Sequence, residues 1–588
     1  MVSGIRQKGD AVAYFLKQSR NKKGLYLQIY ESFYDPEKRQ TRHRSIRALG
    51  YEHELREGGV AEPVAHFKAE VARMNEERAA EKRAERGRRI GEESPERFAG
   101  YFAAKAVDSA LGAREDLAWL QVTEGFRFSL PDVVSSLVYA RLCCPRSKSR
   151  TVEQVLPRLF EEAAFSLDQV YAALPFLGRN ASRVIGLYNA RVAEAWPRDT
   201  SRAYFDCTNF YFEIDAEDAL RRKGPSKERR PDPIVGMGLL LDADCIPLGM
   251  SVFPGNESEK PQMRAVIEGL RRQGSVEGRT VRVADKGLNC AASVVDALSC
   301  GDGYLFSKSI KQLDAKDRRW ALSEEGWQDV RAQDGSVKWR FKEVVDAFDY
   351  RAEREGGAKE RVSLTEKRVA TYSPALARKQ LREIDKLVNK ARGLRLGGAR
   401  RSEFGECGKY VEFRAVDADG CLTDDAVAAS LNHAKIEADR AAAGYNMLVT
   451  SETSMVARDV YEAYRGLWRI EETFRAMKSQ LEARPVYLSN PDSIKGHFLI
   501  CYLAVLLLRI LQVKVLGGEF GTEEIVDFVR DFRVVKASER RYINVLTARP
   551  LADRLEEVTG LPVNNAVLTK AQLDKMMGYE FKPSQPIS

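Results

Sequence analysis

Around residues 11–15 and 25–30, β-branched and aromatic side chains alternate with polar ones on either side of turn-forming Asn21 and Gly24. This predicts a small β-rich module over 1–60. From 63 to 97 the chain turns to Ala, Glu, Arg and Lys with almost no aromatics, which predicts a solvated helix and linker over 61–98. Residues 99–200 return to helical spacing, with an apolar cluster at 133–142. A basic segment, Arg146, Lys148 and Arg150, stands before a helix there. It reads as a phosphate contact or as a solvated loop capped by Ser149 or Thr151, and 99–200 is a candidate DNA-binding helical region.

Beyond 200 the period changes. Strands are predicted at 202–212, 234–241, 246–253, 280–284 and 303–306, with helices at 262–272 and 291–298 among the later ones. This is mixed α/β. Residues 309–443 break the rhythm with short strands near 337–341 and 410–413 and a basic helix at 374–391, and read as an insertion. The pattern resumes with a strand at 445–450 and one continuous helix at 455–481, and the remainder to 588 reads as mostly helical. The catalytic body is thus expected from 201–308 and 444–512, the insertion from 309–443, and a helical C-terminal region from 513–588.

Composition narrows the classes. With 588 residues, 94 basic and 85 acidic, the net charge is +9, too small to announce a polyanion partner unless it clusters. The nine cysteines, with no CxxC pair, read as free thiols of a reducing compartment. No apolar run follows the charged start, so no secretory leader is expected. The apolar stretch 498–508 is about half the ~20 residues a membrane span needs and reads as a core helix. Phosphate-loop, dinucleotide and zinc-hydrolase signatures are absent from the sequence.

Three carboxylates stand where carboxylates are costly. Asp206 lies inside a strand that is apolar on both faces, and burying it costs several kcal/mol unless a proton, a basic partner or a metal such as Mg²⁺ neutralises it. A strand-end Asp bonded to backbone amides is the plainer alternative. Asp285 ends an apolar strand where sites gather in α/β sheets, although aspartate is also a common turn residue. On the 455–481 helix, Glu471 falls in one arc with Tyr464, Leu467, Trp468, Phe474 and Lys478, the middle of the apolar face, while Glu472 points to its rim. Glu471 is either paired with Lys478 or part of a working site. Three carboxylates from two strands and a helix suit a two-metal phosphodiester site.

Tyr204-Phe-Asp206-Cys-Thr, Ser226-Lys-Glu-Arg-Arg-Pro-Asp-Pro, Gly-Leu-Leu-Leu-Asp242, Ile246-Pro-Leu-Gly249, Pro254-Gly-Asn256, Val283-Ala-Asp-Lys286 and Tyr464 to Lys478, in this order and spacing, resemble the DDE transposases of bacterial insertion sequences. The likeness spans about 200–512 and extends loosely to the β-rich start. It implies a ribonuclease H-like domain with a mostly β insertion before the glutamate helix. It also implies catalytic and metal-holding Asp206, Asp285 and Glu471, and two Mg²⁺ ions replaceable by Mn²⁺. The implied partners are element ends and target DNA, bound by a homodimer or larger assembly in the bacterial cytoplasm, with no membrane and no small-molecule substrate. Cleavage of the ends and joining of the 3′-hydroxyl to target DNA is the implied reaction. A nuclease without strand transfer and a non-catalytic DNA-binding derivative are the alternatives.

The family's glutamate helix reads Tyr, two residues, Arg, three residues, Glu, six residues, Lys. Tyr464, Glu471 and Lys478 match, and Leu467 replaces the arginine. Tyr464, Lys478 and Lys308 are the implied DNA contacts, and Arg475, one turn beyond Glu471, is the expected stand-in for the lost arginine. A basic run, Arg378, Lys379, Arg382, Lys386, Lys390, Arg392, Arg395, Arg400 and Arg401, is a second expected phosphate contact, with a solvated helix as its alternative.

Overall fold

The computed structural model describes residues 11–35, 40–87, 96–161, 163, 165–227, 230–353, 359–393, 401–415 and 427–582. It forms two compact units, one of residues 1–95 and 536–541, the other of 96–535 and 542–588.

The first unit is an antiparallel meander, β1 (Ala11–Asn21), β2 (Gly24–Asp35) and β3 (Gln40–Tyr51). Gly24, with φ of 126°, lets the first turn close as a side chain could not. After the short α1 (Glu52–Glu57) comes α2 (Pro63–Gly87), whose Phe67 and Val71 are buried, as are Leu27 and Ile29 of the sheet. Asn75 fixes the helix by accepting from the Tyr14 amide and donating to the Tyr14 carbonyl, each at 2.9 Å. The sequence pattern did not mark β3 as a strand, because nearly all of it is exposed and no buried face imposes alternation.

The second unit is built on a nine-stranded mixed sheet. Its strands are β4 (Arg202–Tyr211), β5 (Ile234–Leu241), β6 (Pro247–Pro254), β7 (Val281–Ala284), β8 (Gly303–Lys308), β9 (Gln328–Arg331), β10 (Val337–Glu353), β11 (Lys359–Tyr372) and β12 (Tyr445–Thr450). Their order across the sheet is 9-10-11-12-8-7-4-5-6. Strands β4, β7 and β8 run parallel, while β5 and β6 are antiparallel additions on the other side of β4. The helices α3 (Lys260–Arg272) and α4 (Ala291–Ser299) follow β6 and β7. Strand β12 pairs antiparallel with both β8 and β11, so the long hairpin β10–β11 from within 309–443 extends this same sheet. The basic helix α5 (Pro374–Gly393) buries only Ala377, Ile384, Val388 and Ala391 and exposes its lysines and arginines, while Arg395 and Arg400 lie outside the described residues.

The expected helix at 455–481 keeps helical backbone angles at the joins of its segments but changes its hydrogen bonding along the way. It is α6 (Ala457–Arg465), a turn at Gly466–Leu467, α7 (Trp468–Arg475) and a π-helical turn, Ala476–Gln480. A Cβ on Gly466 would lie 2.5 Å from the Tyr204 hydroxyl, so only glycine lets the chain approach β4 this closely. Helix α8 (Pro491–Ile510) is buried almost throughout and packs Phe498 against Phe210, ring centroids 4.7 Å apart. With its continuation, Pro491–Val515 is long and apolar enough to cross a membrane by composition, and it serves here as a core helix.

Two further expectations need correction. The 513–588 region holds helices but also the strands Arg533–Ser538, Arg541–Asn544 and Val567–Thr569, too short for their period to show in the sequence. In the 146–150 segment, Lys148 is buried with its Nζ 3.0 Å from His497 Nδ1, while Arg146 and Arg150 remain exposed. The cap is Ser147, whose hydroxyl accepts from the Arg150 amide, in place of Ser149 or Thr151.

Candidate active site

Strand register brings two of the three carboxylates side by side. Phe205 pairs with Ala284 and Ala284 with Phe306 across parallel strands, so the next residues, Asp206, Asp285 and Ser307, fall in one row on one face. Asp285 accepts from Ser307 Oγ at 2.6 Å and from the Tyr464 hydroxyl at 2.8 Å. Burial disfavours its charge, but these bonds, the Lys286 amide and the Lys286 ammonium prevail and hold its pKa below the ordinary carboxylate value. Burial and the neighbouring Asp285 charge push the Tyr464 phenol up, so it stays a donor.

Asp206 behaves oppositely. Its side chain is 26% exposed. Burial first, then the charges of Glu259 and Asp285, push its carboxyl up to about 6, against the lowering pull of Lys227 and the Cys207 amide. Two neighbouring carboxylates with pKa values driven apart are a mark of a working pair. Sequence reasoning missed two other groups here. Lys227 Nζ lies 3.9 Å from Asp206 Oδ1 and 3.8 Å from Glu259 Oε1, and it donates to the Cys207 carbonyl. Their signal was the Ser226-Lys227 run and the Pro254-Gly-Asn256 segment three residues before Glu259, both read only as parts of the resemblance.

The helix segment crosses the same face. Gly466 backs onto Tyr204, and Lys478 Nζ sits 5.3 Å over the Phe210 ring. Six strand residues span ~20 Å and twelve helical residues ~18 Å, so the two run alongside and Glu471 comes level with Asp206. Glu471 is exposed, and its carboxylate makes no hydrogen bond or ion pair among the described residues. This overturns its expected place in the middle of the apolar face and its pairing with Lys478. The buried stripe instead runs Val460, Ala463, Leu467, Ile470, Phe474 and Met477 across both segments, with Glu471 at its edge and Trp468 exposed beyond it. Glu472 is the inward glutamate, accepting from Arg509 Nη1 and Thr522 Oγ1 at 3.4 Å each.

Leu467 is buried and Arg475 exposed. Lys308 is not brought to the row. It follows Ser307, so it projects from the opposite face of β8, where its ammonium lies 5.3 Å over the Tyr350 ring and burial lowers its pKa.

Among the described residues no three acidic, imidazole or thiol groups already converge as a metal cage. The donor set nevertheless fits a hard cation. Asp206, Asp285 and Glu471 offer only carboxylate oxygens, and a positive charge, Lys227, already stands against Asp206.

Residues 233–507 match the family model described as the transposase DDE domain, a span that begins at β5 and takes in Asp285 and Glu471 but not Asp206. No curated protein matches the chain. Over these residues the chain carries a transposase DDE domain, which supports a DDE transposase of the insertion-sequence type.

Proposed function

We propose that this transposase cuts the ends of its mobile element and joins them to target DNA at a site formed by Asp206, Asp285 and Glu471. The observation that carries the reading is the row of Asp206 and Asp285 on adjacent parallel strands, under a helix that brings an unengaged glutamate level with them. The strand order, with two antiparallel strands on one side of β4 and two parallel strands on the other, supports a ribonuclease H-like body.

The three carboxylates would hold two Mg²⁺ ions, which activate the attacking hydroxyl and stabilise the leaving oxygen when bound. Ser307 and Tyr464 orient Asp285 and keep it ionised for that task. Lys478, half-buried on the same flank of the helix as Glu471, lies on the side from which a DNA strand would approach. In the first step water attacks phosphorus at the element end and the P–O3′ bond breaks, leaving a 3′-hydroxyl and a 5′-phosphate. In the second that hydroxyl attacks a target phosphodiester, forms a new P–O3′ bond and displaces the target's 3′-oxygen, so no energy source is consumed.

Cleavage and strand-transfer assays on element-end DNA with Mg²⁺ or Mn²⁺ test the proposal. Asp206→Asn, Asp285→Asn and Glu471→Gln should each abolish both steps while end binding in EDTA persists. Near-normal cleavage by any one of them removes that residue from the metal set. Cleavage without joining in the wild type would leave a nuclease, and neither would leave a DNA-binding derivative.

A further inference from the structure

The open face of the three-stranded sheet in the first unit has a composition that its fold does not require. One face, with Leu27, Ile29 and Glu31, is the buried one. Two arginines on that side are neutralised, Arg44 by Glu31 and Arg47 by Glu70. The register places Phe15, Lys17 and Ser19 of β1, Tyr26, Gln28 and Tyr30 of β2, and Thr41, His43 and Ser45 of β3 on the other face. No residue that the three strands direct to that face is acidic, in a chain whose residues are otherwise almost balanced in charge. Lys17, Thr41, His43 and Ser45 are exposed, and the β1–β2 turn adds exposed Lys22 and Lys23.

The rings of this face make a floor. Phe15 packs against Tyr30 at 5.7 Å and His43 at 5.0 Å, Tyr26 against Tyr51 at 4.9 Å, and the Lys17 ammonium sits 4.6 Å over Tyr30. With neighbours already against them, these rings are poorly placed to stack unpaired bases, which need open ring faces. What protrudes from the floor is cationic or hydrogen-bonding: Lys17, Gln28, His43 and Ser45. The three strands, at ~4.8 Å spacing, present a face about 10 Å across, close to the ~12 Å width of the DNA major groove.

We propose that this face is a duplex-DNA binding surface that seats in the major groove, with Lys17, Lys22 and Lys23 against phosphates and Gln28, His43 and Ser45 towards base edges. The inference rests on reading the protein as one that acts on DNA, but it concerns a surface that takes no part in the chemistry.

Its test is anisotropy of a short fluorescein-labelled duplex from the element's terminus, titrated with the full chain in EDTA over a series of salt concentrations. Replacing Lys17, Lys22 and Lys23 together by Gln should flatten the slope of log affinity against log salt by roughly 2–3. Ser45→Glu, which places a carboxylate on the exposed face, should weaken binding about tenfold or more with an unchanged melting temperature. Wild-type slope and affinity in both variants overturn the proposal. So does a loss confined to a single-stranded oligothymidine, which would make the face a platform for unpaired strands. Asp206→Asn separates the two readings. If it binds as wild type but does not cut, while the sheet variants also bind as wild type, only this inference falls. If no protein binds duplex, both fall.

Discussion

Asp206→Asn should stabilise the metal-free protein, an unusual outcome for a buried-site substitution. The carboxyl is pushed up to about 6 from an ordinary 3.8, chiefly by burial. A carboxyl with a raised folded-state pKa adds stability below the unfolded pKa, because the native state then holds its proton more tightly. That contribution is lost as pH rises through about 6, where the charge must be carried in place. The difference of about two pKa units corresponds to ~3 kcal/mol at pH 7.5. Asparagine, close in shape and neutral, is free of that cost, so the variant should melt several degrees higher in EDTA at pH 7.5. Near pH 4 the wild-type carboxyl is protonated in the folded protein and the advantage should vanish. Added Mn²⁺ should raise the melting temperature of the wild type and leave the variant unmoved. Calorimetric scans at the two pH values, with and without Mn²⁺, decide it. A variant that melts at or below the wild type at pH 7.5 would refute the reasoning, since Asp206 would then be paid no penalty for its charge.

Three other outcomes are expected. At pH 8, Lys227→Met should bind Mn²⁺ severalfold more tightly in calorimetric titration, because the ammonium 3.9 Å from Asp206 and 3.8 Å from Glu259 no longer competes for that position. Gly466→Ala should lower stability by ~1–3 kcal/mol and impair cleavage, since its Cβ would force the helix off Tyr204, and normal thermal stability would show that the approach is looser than it looks. Lys148, pushed down to about 7 by burial and then by Arg141, should make the protein more stable by about 2 kcal/mol between pH 7 and 9 as the unfolded state alone keeps its proton. Lys148→Met should remove that pH dependence from urea titrations.

The nine-stranded sheet was legible in the sequence where burial dictates pattern. Strands β4, β5 and β12 fall within a residue of their expected spans, because each is apolar on a scale that local periodicity detects. Asp206 and Asp285 stood out as charges in apolar strands. Their neighbours did not, because Lys227 and Glu259 sit in connections whose composition is ordinary and whose meaning comes from register. Phe205 opposite Ala284 is what makes Asp206 and Asp285 partners, and no window of sequence contains both. The same limit hid Lys148, which reads as one more surface cation until α8 supplies His497 beside it.

Glu471 shows the limit most sharply. A helical wheel carried unbroken from Tyr464 places Glu471 inside and Glu472 at the rim, and the protein has the reverse. The reason is the choice of face: Trp468, counted with the apolar arc, is exposed, and the stripe that is buried runs Val460, Ala463, Leu467, Ile470, Phe474 and Met477 straight through the Gly466–Leu467 turn. The arrangement has a use. Tyr464, on the near side of the turn, reaches Asp285 at 2.8 Å. Beyond the turn, α7 can bury Ile470 and Phe474 while leaving Glu471 unengaged and level with Asp206. Seven residues are about two helical turns, so Tyr464 and Glu471 share one flank, about 20° apart, beside the buried stripe. The tyrosine thus reaches Asp285 from the same flank that presents the unengaged Glu471, and Gly466 between them lets the helix come against Tyr204.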